Sequence, residues 1–226
     1  MRQTTVKLFL SLCLLMVLPL HAQNNVHYYF RTLDIRNGLS QNTVYQILQD
    51  KNGFMWFGTK DGLNRYDGTS FRIYKKENSG LGKNFITALY EDREGNIWIG
   101  TDGGVFIYNP VQDFFTAFNQ TSDGGIRIRD FVTMISSDEK GNIWISVENQ
   151  GLFCYKYGER KLLNYLHDSG LANVTRFWLN GSTCWLALYA DNLYCTKDNF
   201  KTPLQPFKDA NGNEIFKGDI INWQVN

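Results

Sequence analysis

One segment, a tryptophan shortly after a glycine-containing turn, recurs four times in this chain. It is clearest at residues 52–59, 95–101 and 141–146, and weaker at 181–187. The tryptophans are Trp56, Trp98, Trp144 and Trp185, at spacings of 42, 46 and 41 residues. A repeat of this length is typical of solenoids, propellers or arrays, in which each repeat is one small unit packed against its neighbours.

Within each repeat, apolar residues alternate with polar ones and turn residues bound the short runs, which predicts short strands. The second repeat shows this best, with strands expected at 86–90, 96–101, 105–108 and 114–118. Four strands joined by tight turns form an antiparallel meander, the unit of a propeller blade. The sequence therefore predicts an all-β fold, a β-propeller of four-stranded antiparallel blades, at 44–75, 86–118, 132–166 and 174–207.

Both ends of the repeat array carry a segment that matches part of a blade. Residues 28–33 resemble the last strand of the first blade, and residues 220–225 resemble a first strand. We therefore expect an incomplete propeller of about four blades, with an orphan closing strand at 28–33 and the first strand of a fifth blade at 220–225. Propellers contain about four to eight blades, so the sequence is interpreted as truncated.

The first 22 residues have the pattern of a secretory signal peptide. Arg2 and Lys7 precede an apolar run from Leu8 to Leu18, and a cleavage site is expected after Ala22. The run is too short to span a bilayer, and no second apolar segment approaches eighteen residues. We expect an exported, periplasmic chain with no membrane segment apart from the signal peptide. Its remaining cysteines, at 154, 184 and 195, are odd in number and lie in apolar strands, which favours buried thiols over a disulfide.

Composition and motifs argue against several classes of function. The net charge is +1 with no basic cluster, so no nucleic-acid partner is expected. His27 and His167 have no companion ligands at metal-binding spacing, and no nucleophile elbow, zinc helix or phosphate loop is present. We therefore predict no catalytic residues, no metal and no cofactor.

The repeated tryptophans could pack between blades or stack on sugars, and their fixed position in the repeat favours packing. Trp178 and Trp223 lie in first strands near the expected channel and are less clearly structural.

Ligand contacts are expected on the loops of one face, because function concentrates on loops held by a rigid scaffold. Loops between second and third strands, and those between blades, open on the same face of this topology. They hold the least repeated residues, and ordinary surface variation is the alternative interpretation. The predicted ligand-binding candidates are Lys60, Asp61, Arg127, Arg129, Asp130, Glu148, Asn149, Tyr189 and Asp191.

The repeat Asp-x-x-Gly-Asn-Ile-Trp-Ile-Gly-Thr and the opening Phe30–Asp50 segment resemble the two-component regulator propeller repeats of bacterial hybrid two-component systems. The resemblance is strong over 29–118, good over 132–155 and weak over 174–207, where the turn aspartate and the Gly-Thr pair are lost. It implies the N-terminal periplasmic sensor region of a Bacteroidetes protein. In such proteins a second propeller, a β-sandwich, a membrane helix, a histidine kinase, a receiver and a DNA-binding domain follow.

The resemblance further implies an oligosaccharide ligand released from complex glycans. The remainder of the sensor and a second copy of the chain are the other expected partners. Two alternatives stay open from the residues alone. One is a propeller carbohydrate-active enzyme such as a lyase or glycosidase, and the other is a non-catalytic interaction scaffold or a truncated product that does not fold.

Overall fold

The computed structural model describes residues 29–122, 125–166, 173–189, 193–197, 200–201, 203–206, 208 and 211–214. These residues form four separate four-stranded sheets, each with its strands in sequence order and antiparallel to their neighbours. The all-β fold class and its four-stranded blades are confirmed. The predicted signal peptide, His27, His167, Trp223 and the strand at 220–225 lie outside the described residues.

The four blades are numbered in chain order. Blade 1 contains Val44–Gln49 (β1), Met55–Thr59 (β2), Gly62–Tyr66 (β3) and Phe71–Tyr74 (β4). Blade 2 contains Ile86–Glu91 (β5), Ile97–Thr101 (β6), Gly104–Asn109 (β7) and Phe114–Ala117 (β8). Blade 3 contains Val132–Ser137 (β9), Ile143–Val147 (β10), Gly151–Lys156 (β11) and Lys161–Asn164 (β12). Blade 4 contains Val174–Asn180 (β13), Thr183–Leu188 (β14), Leu193–Thr196 (β15) and Gln205–Pro206 (β16). Single turns of 3-10 helix lie at Ile35–Asn37 and Tyr157–Glu159.

The segment before blade 1 differs from the expected strand at 28–33. Residues 29–34 have no regular secondary structure, and residue 28 lies outside the described residues. A strand requires a hydrogen-bonded neighbour, and the sequence pattern assigns that neighbour to a blade that the described residues do not contain. From Leu33 onward the segment packs like a connection between blades. Leu39 is buried, as is Leu81 at the matching position of the connection between blades 1 and 2.

An aspartate in the first turn of blades 1 to 3 holds the repeated tryptophan in place. In blade 2 the Asp92 carboxylate accepts hydrogen bonds from the backbone N–H groups of Glu94 (3.0 Å) and Asn96 (2.9 Å) and from the indole Nε1 of Trp98 (2.9 Å). Asp50 and Asp138 accept the indole N–H of Trp56 and Trp144 in the same way, at 2.8 and 3.1 Å. The aspartate therefore satisfies both the tight turn and a buried indole, which explains the fixed six-residue spacing.

Trp56, Trp98 and Trp144 lie within the apolar clusters between blades, with at most 3% of their surface exposed. The prediction that the repeated tryptophans pack between blades is confirmed for these three. Trp178 is different, because 55% of its surface is exposed on strand β13.

In blades 1 and 2 the residue two positions after the repeated tryptophan is glycine, because the next blade packs against it. A Cβ atom built on Gly58 would lie 2.8 Å from Ile86 Cγ2, and one on Gly100 would lie 2.6 Å from Val132 Cγ1. Ile86 and Val132 begin the first strands of the following blades. Close packing of this kind leaves no room for an added methyl group. The glycine of the motif therefore sets the distance between neighbouring blades.

The turns that carry the aspartates lie together on one face, here called the aspartate face, and they also join the blades. Lys51 of blade 1 donates through Nζ to the carbonyl oxygen of Glu94 in blade 2, at 3.0 Å. Arg93 of blade 2 donates to the carbonyl oxygen of Glu139 in blade 3. Each reaching side chain passes over the glycine of the next turn, Gly95 or Gly141, which also has a positive φ. Lys51 and Arg93 each directly follow the aspartate of their turn. In blade 3 the residue after the aspartate is Glu139, so no basic side chain is available at this position to bridge blades 3 and 4.

Candidate ligand-binding face

The face opposite the aspartate face is built by the β2–β3, β6–β7 and β10–β11 turns, by the end of β14 and by the described parts of the connections between blades. It is here called the loop face. Threonine side chains fix its two tightest turns. Thr59 Oγ1 donates to Gly62 O (2.9 Å) and accepts from the backbone of Asp61, and Thr101 Oγ1 donates to Gly104 O (2.8 Å) and accepts from Gly103. The Gly-Thr pair of the repeat therefore produces a two-residue turn that presents its central side chains outward.

The candidates of blade 1, Lys60 and Asp61, lie in such a turn on the loop face. Lys60 is exposed. Asp61 forms an ion pair with Lys75 of the following connection, with Nζ and Oδ2 2.6 Å apart. An exposed pair of this kind adds about 1 kcal/mol or less to stability. The Asp61 carboxylate is therefore already engaged, and Lys60 is the freer of the two for an incoming ligand.

The candidates of the connection between blades 2 and 3 are joined to the turn of blade 3 by the side chain of Gln150. Its Oε1 accepts the backbone N–H groups of Arg129 (2.9 Å) and Asp130 (3.2 Å), and its Nε2 donates to Arg127 O (2.8 Å). Glu148, in the same turn as Gln150, donates its backbone N–H to Phe131 O at 2.8 Å. The structure thus brings together the five candidates in these two segments: Arg127, Arg129, Asp130, Glu148 and Asn149.

Gln150 was not among the sequence candidates. Its position directly before Gly151, in the same turn as Glu148 and Asn149, is the signal that places it on this face. Its hydrogen-bond partners lie 20 to 23 residues earlier, so the sequence pattern alone does not reveal its role as a clamp.

Asn173 extends this group from blade 3 to blade 4. Its side-chain oxygen accepts the backbone N–H of Asn149 (3.2 Å), and its carbonyl oxygen accepts that of Tyr189 (2.9 Å). Asn149 has a left-handed φ of 60°, a conformation that asparagine tolerates better than most residues. Tyr189 is 71% exposed. Asp191, the last candidate, lies outside the described residues.

A row of three aromatic rings also lies on the loop face, and the sequence analysis did not identify it. The rings of Tyr45 and Phe85 have centroids 4.8 Å apart, and those of Phe85 and Phe131 are 5.5 Å apart. Tyr45 belongs to β1, whereas Phe85 and Phe131 immediately precede β5 and β9. The two phenylalanines share one position of the repeat, which is the signal that could have found them.

The pKa of the turn aspartate Asp138, on the aspartate face, departs from its ordinary value. Burial by itself raises the pKa of this carboxyl, but the hydrogen bonds donated by Asn142 and Trp144 outweigh that effect and hold the pKa below its ordinary value. Between blades 1 and 2, hydrogen bonds from Tyr108 and Arg72 lower the pKa of Asp113. Both carboxylates are therefore held ionised by groups that also pack the blades.

Across the described part of the chain, no cluster of three or more histidine, cysteine, aspartate or glutamate side chains is arranged to hold a metal ion. The same residues contain no helix that is long and apolar enough to cross a membrane. Cys154, Cys184 and Cys195 are free thiols, the first two buried.

Comparison with known proteins identifies two of the four repeats. The sequence model of the protein family described as two-component regulator propeller matches residues 38–61 and 80–103. Histidine kinase P4 of Formosa agariphila is 45% identical over 60 residues, which cover 26% of this chain and 4% of the kinase.

Two extracellular domains from B. thetaiotaomicron share the fold. One, assigned to the hybrid two-component system BT3049, superposes with a TM-score of 0.68 at 26% identity over 83% of this chain. The other, assigned to the one-component system BT4673, gives a TM-score of 0.65 at 24% identity over 82% of this chain. The chain spans 29% and 30% of the lengths of these two domains. The chain is therefore a protein of β-propeller blades that carries two-component regulator propeller repeats.

Proposed function

We propose that this chain is the exported, ligand-sensing propeller region of a hybrid two-component sensor, and that its ligand is an oligosaccharide released from a glycan. The repeat match and the likeness to an extracellular two-component domain support the sensor role. One fold can host many functions, so ligand binding is inferred from the residues of the site.

The observation that carries the proposal is the difference between the two faces of the blades. On the aspartate face the same carboxylate–indole bond recurs at Asp50, Asp92 and Asp138. On the loop face the residues differ from blade to blade, yet Gln150 and Asn173 hold those of blades 3 and 4, and of the connection before blade 3, in one connected group. Variable side chains fixed on a repeated scaffold are the arrangement that binding loops use.

The loop face offers hydroxyl, amide, carboxylate and guanidinium groups beside exposed aromatic rings. A few placed polar groups within an apolar surface are typical of small-ligand sites. In this proposal the protein binds and does not transform its ligand. The remainder of the sensor transmits the signal, and a second copy of the chain is the proposed partner.

The direct test is to purify the protein and measure its thermal unfolding in the presence of oligosaccharides from a panel of enzymatically digested glycans. A specific ligand at a hundred times its Kd stabilises the folded state by about 2.7 kcal/mol, a readily measured shift. We expect stabilisation by one structural class of oligosaccharide. Stabilisation by none would contradict the proposal.

The same incubations distinguish a sensor from the alternative, a propeller lyase or glycosidase. Chromatography of each mixture before and after prolonged incubation should return the oligosaccharide unchanged. New, shorter products that require the folded protein would replace the sensor proposal with the enzyme.

A further inference from the structure

We infer that the rings of Tyr45, Phe85 and Phe131 form the surface on which a sugar ring of the ligand stacks. This inference rests on the proposed function and assigns its binding site to one part of the loop face. The three residues are here called the aromatic row.

The aromatic row is continuous across three blades and open to solvent. Successive ring centroids are 4.8 and 5.5 Å apart, with interplanar angles of 57° and 85°. Tyr45 is 45% exposed, and Phe85 and Phe131 are half-buried. Tilted and edge-to-face contacts at these distances hold rings in place, so the row presents a fixed apolar surface.

Tyr45 differs from the residue at the matching position of the other three blades. Each first strand skips one residue of its pairing register, and the skipped residue is threonine in blades 2, 3 and 4. The hydroxyl of Thr133 donates to Val174 O (2.9 Å), and that of Thr175 donates to Ala187 O (3.0 Å). Threonine therefore serves the structure in blades 3 and 4, whereas the buried hydroxyl of Thr87 in blade 2 has no hydrogen-bond partner among the described residues. Blade 1 carries an exposed tyrosine instead, which the repeat does not require.

Phe85 and Phe131 are likewise not demanded by the fold. The matching residues of blades 1 and 4 are Thr43 and Asn173, both polar, and both blades form. Two phenylalanines that stay partly exposed at this position are better explained by a ligand than by packing. The row thus combines three departures from the repeat in one contiguous surface.

Polar groups flank the aromatic row. Lys83 and Arg129 each lie two residues before a phenylalanine of the row, and both are exposed. The Lys83 side chain lies over Gly103, at the rim of the neighbouring turn. A sugar ring has one apolar face and a rim of hydroxyl groups, so it matches an aromatic surface with hydrogen-bonding groups at its edge.

The substitution Tyr45→Thr tests the inference with little risk to the fold, because it restores the residue found in the other three blades. Tyr45→Phe keeps the ring. Phe114→Ala is the matched control, since Phe114 is a 56% exposed aromatic residue that begins the outer strand β8, on the aspartate side of blade 2. All three variants and the parent protein are applied to an array of defined plant, algal and host oligosaccharides, and Kd values for the bound compounds are measured by titration calorimetry.

We expect Tyr45→Thr to weaken binding of the array compounds by about tenfold or more, the loss expected from one stacking contact. Tyr45→Phe and Phe114→Ala should keep the parent affinity within about twofold. Parent-like binding by Tyr45→Thr, or an equal loss in Phe114→Ala, would overturn the assignment of the aromatic row and leave the sensor proposal standing. Failure of the parent protein to bind any array compound would overturn both.

Discussion

Removal of the Asp92 carboxylate should destabilise the protein more than removal of an exposed aspartate side chain does. Asp92 is 8% exposed and accepts bonds from two backbone N–H groups and from the buried indole of Trp98. Asp92→Ala leaves all three donors without this acceptor. An unsatisfied buried donor costs about 1 to 3 kcal/mol, and each half-buried backbone donor adds about 1 kcal/mol. We therefore expect the free energy of unfolding to fall by about 3 to 5 kcal/mol. Domains of this kind have free energies of unfolding of about 5 to 15 kcal/mol, so this is a large share of the total.

The assay is urea unfolding followed by tryptophan fluorescence, with Asp102→Ala as the control. Asp102 is an exposed aspartate in the loop-face turn of the same blade, so its removal should change the free energy of unfolding by about 0.5 kcal/mol or less. In the background Trp98→Phe, which lacks the indole donor, Asp92→Ala should cost about 1 to 2 kcal/mol less than in the parent. Equal effects of Asp92→Ala and Asp102→Ala would refute the structural role of the carboxylate–indole bond.

Three further outcomes follow from the packing and the buried groups. Gly100→Val should lower the free energy of unfolding by about 2 kcal/mol or more, because its side chain would overlap Val132 of the next blade; an unchanged urea midpoint would contradict this. The pKa of Asp138 is lowered in the folded state, so its contribution to stability is complete above the unfolded pKa of about 3.9 and is lost as the pH falls through the folded value. Asp138→Asn should therefore flatten the dependence of the unfolding free energy on pH below about pH 4, and a parent-like slope would argue against it. Burial raises the pKa of Cys154 and Cys184 to about 12, so both thiols should resist iodoacetamide at pH 8 until the protein is unfolded, as mass spectrometry of labelled peptides would show.

The repeat in the sequence predicted the blades well because its signals are local. The aspartate, the glycine and the tryptophan lie within seven residues of one another, and their spacing alone indicates a turn followed by a strand. The reason for that spacing, the bond between Asp92 and the Trp98 indole, required the positions of the side chains. The repeat also identified the loop face, because strand order determines which turns share an edge.

The composition of the site was only partly predictable. Arg127 and Asn149 were chosen because they vary between repeats, but the residue that clamps their segments together, Gln150, was missed. The aromatic row was missed because its rings belong to three blades and lie 40 and 46 residues apart along the chain. Contacts of this kind depend on how the blades pack, which no local pattern encodes.

Hydrogen–deuterium exchange of the protein with a saturating amount of its tightest-binding array oligosaccharide shows which face of the blades binds the ligand. We expect slower exchange on the loop face, in residues 76–85, 125–131 and 148–150, and unchanged exchange in the aspartate-face turns at 50–53, 92–95 and 138–141. Slower exchange confined to the aspartate-face turns would contradict the claim that the loop face binds the ligand.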